Sequence, residues 1–374
     1  MQSFDFIDLI LFLGISQGVF LAITIQILKN KNRAANRVLS LILLIASLML
    51  TGRLIYPRHY DSEWFFRIAI FVDTLIFVFG PLLYLYFRRL AFKETPNYRL
   101  HFSHFVFAIA MLFYYFWTLS YSHEEFIILG RQGKLNIIFF CIETLGILFN
   151  FFYSYRCYQL VQVYRKEERQ NLSYSQNLTP FLVSFLVTVT VFVALWLLSY
   201  IMVYFLKIYT PIISYNLVWI SIPVFIYVVG FYSLKQPDIF RMPLAKKEIT
   251  KNKERLDRKS IQELNDKLEE LMVNEKVYLD HNLTLVNLAK ELNTSTNNVS
   301  WLLNNIHHNT FYDYVNKYRV QAFVEKIHKG EHHRHTLLAL SMDSGFNSKS
   351  TFNKAFKMVK NVTPSNYIKQ LKVS

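Results

Sequence analysis

Cysteine is nearly missing from this chain, with two in 374 residues, Cys141 and Cys157. Both fall inside or at the edge of one apolar stretch, which leaves no disulfide framework and no CxxC pair for structural zinc. Neither a Walker A loop nor a GxGxxG turn occurs, so the common phosphate-cradling motifs are excluded. No Ser-His-Asp or two-carboxylate catalytic constellation stands out, and the chain does not read as an enzyme. The histidines His307, His308, His332, His333 and His335 have no carboxylate or thiol at ligand spacing; they read as exposed loop residues, not zinc ligands. Neither a cofactor nor a metal is expected. The start carries Asp5 and Asp8 where a secretory signal has positive charge, so it reads as a retained first helix.

Acidic residues are also in the minority, 26 Asp and Glu against 41 Lys and Arg, for a formal charge of +15. The averages, 53% hydrophobic and 17% aromatic, hide a division by position. Residues 1–232 alternate long apolar runs with short basic loops, residues 233–275 form a charged amphipathic linker, and residues 276–374 are polar and rich in Lys. The chain up to Tyr232 carries +7 and the remainder +8. Both parts therefore favour anionic partners, phospholipid for the first and nucleic acid for the second.

A helix needs roughly 20 mostly apolar residues to cross a bilayer, because lipid offers no partner to backbone groups. Seven stretches qualify: residues 6–28, 38–55, 65–87, 102–121, 135–155, 180–206 and 212–232. With the amino terminus outside, the inner loops hold twelve cations: Lys29, Lys31, Arg33, Arg37, Arg88, Arg89, Lys93, Arg99, Arg156, Arg165, Lys166 and Arg169. The outer loops hold six, Arg53, Arg58, Arg67, Arg131, Lys134 and Lys207. Because Lys and Arg are retained in the cytoplasm, this asymmetry puts the carboxy-terminal half there, on a multi-pass membrane protein.

Asp73 and Glu143 are expensive residues to embed in lipid. Each lies about eight residues inside the outer start of its stretch, hence at similar depth, ~12 Å below the outer face. They line either a ligand or ion pocket, together with Arg53 or Arg67, or else serve a structural salt bridge or a protonated interhelical hydrogen bond. Gly14-Ile15-Ser16-Gln17-Gly18 is a GxxxG, which admits close approach of another helix and so a homodimer, though chance occurrence is common. Pro81 and Pro223 bend their helices by removing a backbone donor. In the linker, Ile261, Leu264, Leu268 and Leu271 form a stripe that suits either a short coiled coil or docking on the following domain. Ile249 and Leu256 fall out of its register.

The last hundred residues hold two helix-turn-helix patterns. In Leu285 to Leu303, Ala289 is the small contact residue, Asn293 the turn residue able to adopt a left-handed conformation, and Leu288, Leu292, Val299 and Leu302 the core. Thr294 or Ser295 caps the second helix. In Leu337 to Lys357, Ser341 is the small residue, Gly345 suits a positive φ, Asn347 or Ser348 is the cap, and Phe352 and Phe356 face the interior. Between them Phe311 to Ile327 makes a strut of ~26 Å, matched to two recognition helices in successive major grooves about one turn apart. The fold is therefore all-α, seven membrane helices followed by a tandem helix-turn-helix domain.

The run Gly345-Phe346-Asn347-Ser348-Lys349-Ser350-Thr351-Phe352-Asn353-Lys354-Ala355-Phe356-Lys357, followed by Thr363-Pro364-Ser365-Asn366-Tyr367, resembles the AraC/XylS signature. Asn316-Lys317-Tyr318-Arg319-Val320 with Ala322 is similar to that family's linking helix. The resemblance covers roughly residues 276 to 370. Asn361 stands where Gly is usual before the Thr-Pro, Ser341 where Ala is usual, and His332-His333-Arg334-His335 is an unusual approach to the second motif. The resemblance implies a two-subdomain unit that binds double-stranded promoter DNA, with RNA polymerase as a partner, in a membrane-anchored regulator answering a small-molecule or membrane-derived signal. A rival reading is a membrane transporter or enzyme with a cytoplasmic regulatory domain. Asn reads adenine and Lys reads guanine or phosphate. The DNA-facing residues are thus Thr296, Asn297, Ser300, Trp301 and Asn304 in the first motif. In the second they are Ser348, Lys349, Ser350 and Asn353 for bases, with Lys354 and Lys357 for phosphate.

Overall fold

The computed structural model describes residues 6–27, 33–55, 62–92, 98–174, 178–208, 215–235 and 257–371. The acidic residue Asp5, the loop cations Lys29, Lys31, Arg58 and Lys93, and the linker residues Ile249 and Leu256 lie outside the described residues. Every regular element among the described residues is helical. The chain divides into two compact units, one of Met1–Tyr164 with Asn177–Lys246, the other of Arg165–Gln176 with Lys247–Ser374.

Among the described residues the first unit holds five helices long and apolar enough to cross a membrane: α1 (Phe6–Ile27), α2 (Arg33–Ile55), α7 (Asn136–Asn171, its last residues in the second unit), α8 (Leu178–Ile201, extended by a π-turn to Leu206) and α9 (Tyr215–Lys235). Seven are reached if two bent pairs each count as one span. In one pair, α3 (Glu63–Thr74) and α4 (Ile76–Ala91) meet at 40°; in the other, residues 102–118, ending in α5 (Val106–Thr118), and α6 (His123–Arg131) meet at 107°. Large side chains such as Phe20, Phe113, Phe116 and Ile137 stay exposed on the outer surface, as they do on helices solvated by lipid tails. Inside, Tyr86, Phe87, Phe181 and Phe185 are fully buried, with Phe87 and Phe185 edge to face at 5.4 Å.

Gly14 and Gly18 are consumed within the chain. A Cβ on Gly14 would lie 2.7 Å from Cγ of Pro223 on α9, and one on Gly18 would collide with the Ser47 hydroxyl on α2. The GxxxG therefore lets α1 approach α2 and α9, so its small face is covered by the same polypeptide.

In the second unit α10 (Arg258–Val273) starts on Asp257, whose carboxylate accepts the Ser260 amide at 2.9 Å. Its apolar stripe, Leu264, Leu268 and Leu271 with Met272, is buried in the core that also takes in α11 (Leu285–Glu291) and α12 (Thr296–Asn305). Of the two readings of that stripe, docking is the one realised within this chain. Each such leucine contributes ~1.5–3 kcal/mol of burial. The strut α13 (Phe311–His328) serves two cores. Phe311, Tyr314 and Val315 complete the first, and Val320, Phe323, Val324 and Ile327 complete the second with α14 (Leu337–Met342), α15 (Lys349–Lys360) and α16 (Pro364–Leu371). Its 18 residues span ~27 Å.

Midway along α13, between the two cores, Arg319 is 0% exposed. A guanidinium has five N–H groups, and a buried one must find five acceptors. Nε donates to Tyr278 O at 2.7 Å, Nη1 to Ser173 O at 3.0 Å and Asn316 Oδ1 at 3.3 Å, and Nη2 to Ser173 Oγ at 3.0 Å and Asp280 O at 2.7 Å. Burial pulls the group down to about 10, against the field of Asp280, so it stays charged at neutral pH. Ser173 belongs to the short segment Arg165–Gln176 of this unit. The segment is fastened at three further places. Leu172 forms an antiparallel bridge with Thr284, Ser173 Oγ donates to Leu283 O at 2.7 Å, and Arg169 pairs with Asp313 at 2.7 Å.

Gly345 closes the same joint from the other side, at φ +91° with Tyr278 O, Leu279 and Arg319 Nε all in the space a Cβ would take. Gly345→Ala is expected to cost ~2 kcal/mol or more, combining left-handed strain with overlap, read as a lowered unfolding midpoint of the purified chain. An unchanged midpoint would mean the turn is not held as described.

Candidate nucleic-acid interface

Each helix-turn-helix is assembled by the same local chemistry. In the first, Thr284 caps α11 by accepting the Asn287 amide at 3.1 Å, Asn293 turns the chain at φ 50°, and Ser295 caps α12 by accepting the Asn298 amide at 3.1 Å. Ala289 is buried at the crossing, and its carbonyl takes the Thr294 amide at 2.9 Å. In the second, Thr336 caps α14, Gly345 makes the turn, and Ser348 caps α15 by accepting the Thr351 amide at 3.2 Å. Ser341, where a smaller residue is usual, is fully buried because its hydroxyl donates back to Leu338 O at 2.7 Å. Asn361 ends α15 at φ 59° and so does the work of the missing glycine.

Burying one face of each second helix exposes the other. On α15, Phe352, Ala355 and Phe356 are buried, with Phe352 4.6 Å from Phe323 of the strut. That leaves Lys349, Ser350, Asn353, Lys354 and Lys357 exposed along one side. Ser348 is half-buried and caps α15. Lys354 Nζ lies 5.7 Å from the centre of the Tyr312 ring on α13. On α12, Val299, Leu302 and Leu303 are buried, Trp301 and Asn304 are exposed, and Thr296, Asn297 and Ser300 are half-buried. Asn304 Nδ2 donates to Ser300 O at 2.7 Å. The two faces differ in charge. The α15 sequence contains cations and no acid, whereas α12 has no charged residue.

A family model described as a helix-turn-helix domain matches residues 288–370, from α11 into α16. These residues form an AraC/XylS-type DNA-binding domain. No curated protein and no solved structure matches the chain. The AraC/XylS-type domain makes the chain a DNA-binding transcription regulator, and its ligand is double-stranded DNA.

Three residues central to the domain carried no functional assignment in the sequence: Arg319, Asn316 and Ser173. For Arg319 a signal exists, since it sits at i+4 from Val315 and i−4 from Phe323, on the stripe that is otherwise apolar. Ser173 has none. Its partner is 146 residues away in sequence.

In the first unit Asp73 and Glu143 line one cavity of about 400 Å³, which also includes Tyr114, Trp196, Tyr215 and Trp219. Arg53 and Arg67 are not among its described lining residues. Arg53 instead donates to Asn216 Oδ1 at 3.1 Å. Arg67 donates to Thr118 O at 2.8 Å and to Tyr121 O, and pairs with Glu63 at 3.1 Å. Thr118 ends α5 and Tyr121 lies in the turn after it, so the Arg67 guanidinium is held at the break before α6. No group of three or more potential metal ligands occurs among the described residues; His307 is engaged with Asn265 Oδ1 at 2.8 Å.

Asn353→Ala is expected to weaken binding to the preferred site by ~1–3 kcal/mol with little effect on unrelated DNA. Lys357→Ala is expected to weaken both and to flatten the salt dependence by a slope of about 1. Titrations at several salt concentrations separate the two outcomes. Equal behaviour of both variants would contradict the assignment of base and phosphate roles.

Proposed function

We propose that the chain is a bacterial transcription regulator held in the inner membrane by seven spans, amino terminus outside and DNA-binding domain in the cytoplasm. A signal received by the apolar unit changes how the domain occupies its promoter. The twofold excess of cations in the inner loops supports this orientation. One observation carries the coupling. Segment Arg165–Gln176 contains the end of α7 and supplies a carbonyl and a hydroxyl to Arg319, the charge at the middle of the strut between the two helix-turn-helix motifs.

Energetic coupling travels through packed, hydrogen-bonded elements with discrete arrangements. Moving Ser173 would leave buried donors of Arg319 unpaired, a cost that forces the strut to readjust. RNA polymerase is the partner at the promoter. A homodimer through Gly14 and Gly18 forms no part of this reading, because both are covered by α2 and α9.

Chromosomal occupancy of the full-length protein, mapped by crosslinking, tests the reading. Replacing Lys349 and Asn353 together by Ala should lower occupancy ~10-fold or more, with membrane content unchanged. Undiminished occupancy would remove the α15 face from DNA recognition.

A further inference from the structure

The cavity in the first unit plays no part in DNA binding, yet it is built. Its volume of about 400 Å³ lies within the range of small-molecule sites. Two carboxylates enter it from different helices, Asp73 from α3 and Glu143 from α7. Glu143 is held in place by phenols: Tyr215 donates to Oε2 at 2.5 Å and Tyr204 to Oε1 at 3.3 Å.

Asp73 has no such support. Among the described residues no hydrogen bond reaches its carboxylate, and Arg53, whose field it feels, spends its guanidinium on Asn216. Asp73 is an exposed residue on its helix and lines the cavity. An ionised carboxylate on a membrane helix is stabilised by a positive partner. The remaining walls are aliphatic and aromatic in equal number, with Tyr114, Trp196 and Trp219 among the rings, and aromatic rings attract cations through their quadrupole. A bare metal ion is poorly matched, since hard cations take about six or more oxygen ligands and these walls are mostly carbon. An anion would meet two carboxylates.

We propose that this cavity binds an organic ammonium cation with an apolar body, its charge shared by Asp73 and Glu143 and its body against Trp196 and Trp219. The inference rests on the reading of the apolar unit as the sensing half and names the class of signal. It also locates the first structural effect. Asp73 precedes by one residue the end of α3, where α3 and α4 bend by 40°, so neutralising it acts at the break in that span.

The test uses the full chain in lipid nanodiscs, with 2-phenylethylammonium as probe, 2-phenylethanol as its neutral counterpart, and empty nanodiscs to subtract partitioning. Tryptophan fluorescence reports binding, because Trp196 and Trp219 line the site. Saturable binding of the ammonium, none of the alcohol, and at least ~10-fold weaker binding in Asp73→Asn and in Glu143→Gln are expected, since a lost ion pair in a dry site costs more than 1.4 kcal/mol. A thermal midpoint measured on each variant identifies one that fails to fold, and the other then decides. Equal binding of the alcohol, or unchanged affinity in both folded variants, overturns the proposal. A promoter reporter run alongside keeps the two readings apart. Saturable, Asp73-dependent binding supports the site whatever the reporter does, and a silent reporter then counts against the coupling alone.

Discussion

Five N–H groups on one buried side chain set the terms for the whole DNA-binding unit. Arg319 cannot shed its proton at neutral pH and cannot reach water, so every donor must be met by an oxygen of the surrounding backbone or side chains. Three come from backbone carbonyls, those of Tyr278, Asp280 and Ser173, and two from the side chains of Asn316 and Ser173. No carboxylate oxygen takes part, so the charge is solvated by dipoles held in place by three separate stretches of chain. Removing one stretch would strand donors in a dry interior, at about 1–3 kcal/mol apiece. The joint between the two helix-turn-helix motifs is thereby tied to the segment in which the long apolar helix α7 ends.

The same joint explains the geometry of the reading heads. α13 is continuous through both cores, so its two ends are rigidly related, and each core turns one side of a capped helix outward. The heads are unlike. α15 presents lysines and an asparagine, while α12 presents an exposed tryptophan and uncharged polar groups. Of these two helices, positive charge is therefore concentrated on α15.

Much of this was legible in the sequence wherever the governing physics is local. Apolar runs of bilayer length, the left-handed turns at Asn293 and Gly345, the serine caps and the Phe352 and Phe356 face all follow from the residues themselves. That Asp73 and Glu143 meet in one cavity follows from their equal distance along two helices. What could not be read depends on distant partners. The break after Asp73 and the one between α5 and α6 interrupt stretches that read as uniform spans. Arg67 looks like a partner for the acids, but its guanidinium is taken by the carbonyls of Thr118 and Tyr121 and by Glu63. Gly14 and Gly18 carry the pattern of a dimer face, but Pro223 and Ser47 cover it, and no spacing in α1 announces that. Ser173 lies in a loop that counts only as basic charge near a membrane, and its role appears once the backbone carries it to Arg319.

The central claim is that segment Arg165–Gln176 is part of the DNA-binding unit, and the bridge between Leu172 and Thr284 tests it most directly. Residues opposite each other in an antiparallel pair have Cα atoms ~4.5–5.5 Å apart, within reach of a disulfide. In a full-length variant with Cys141 and Cys157 replaced by Ser, Leu172→Cys with Thr284→Cys should crosslink within one chain, nearly completely, under mild oxidation in isolated membranes. Both thiols staying free and open to alkylation would contradict the account.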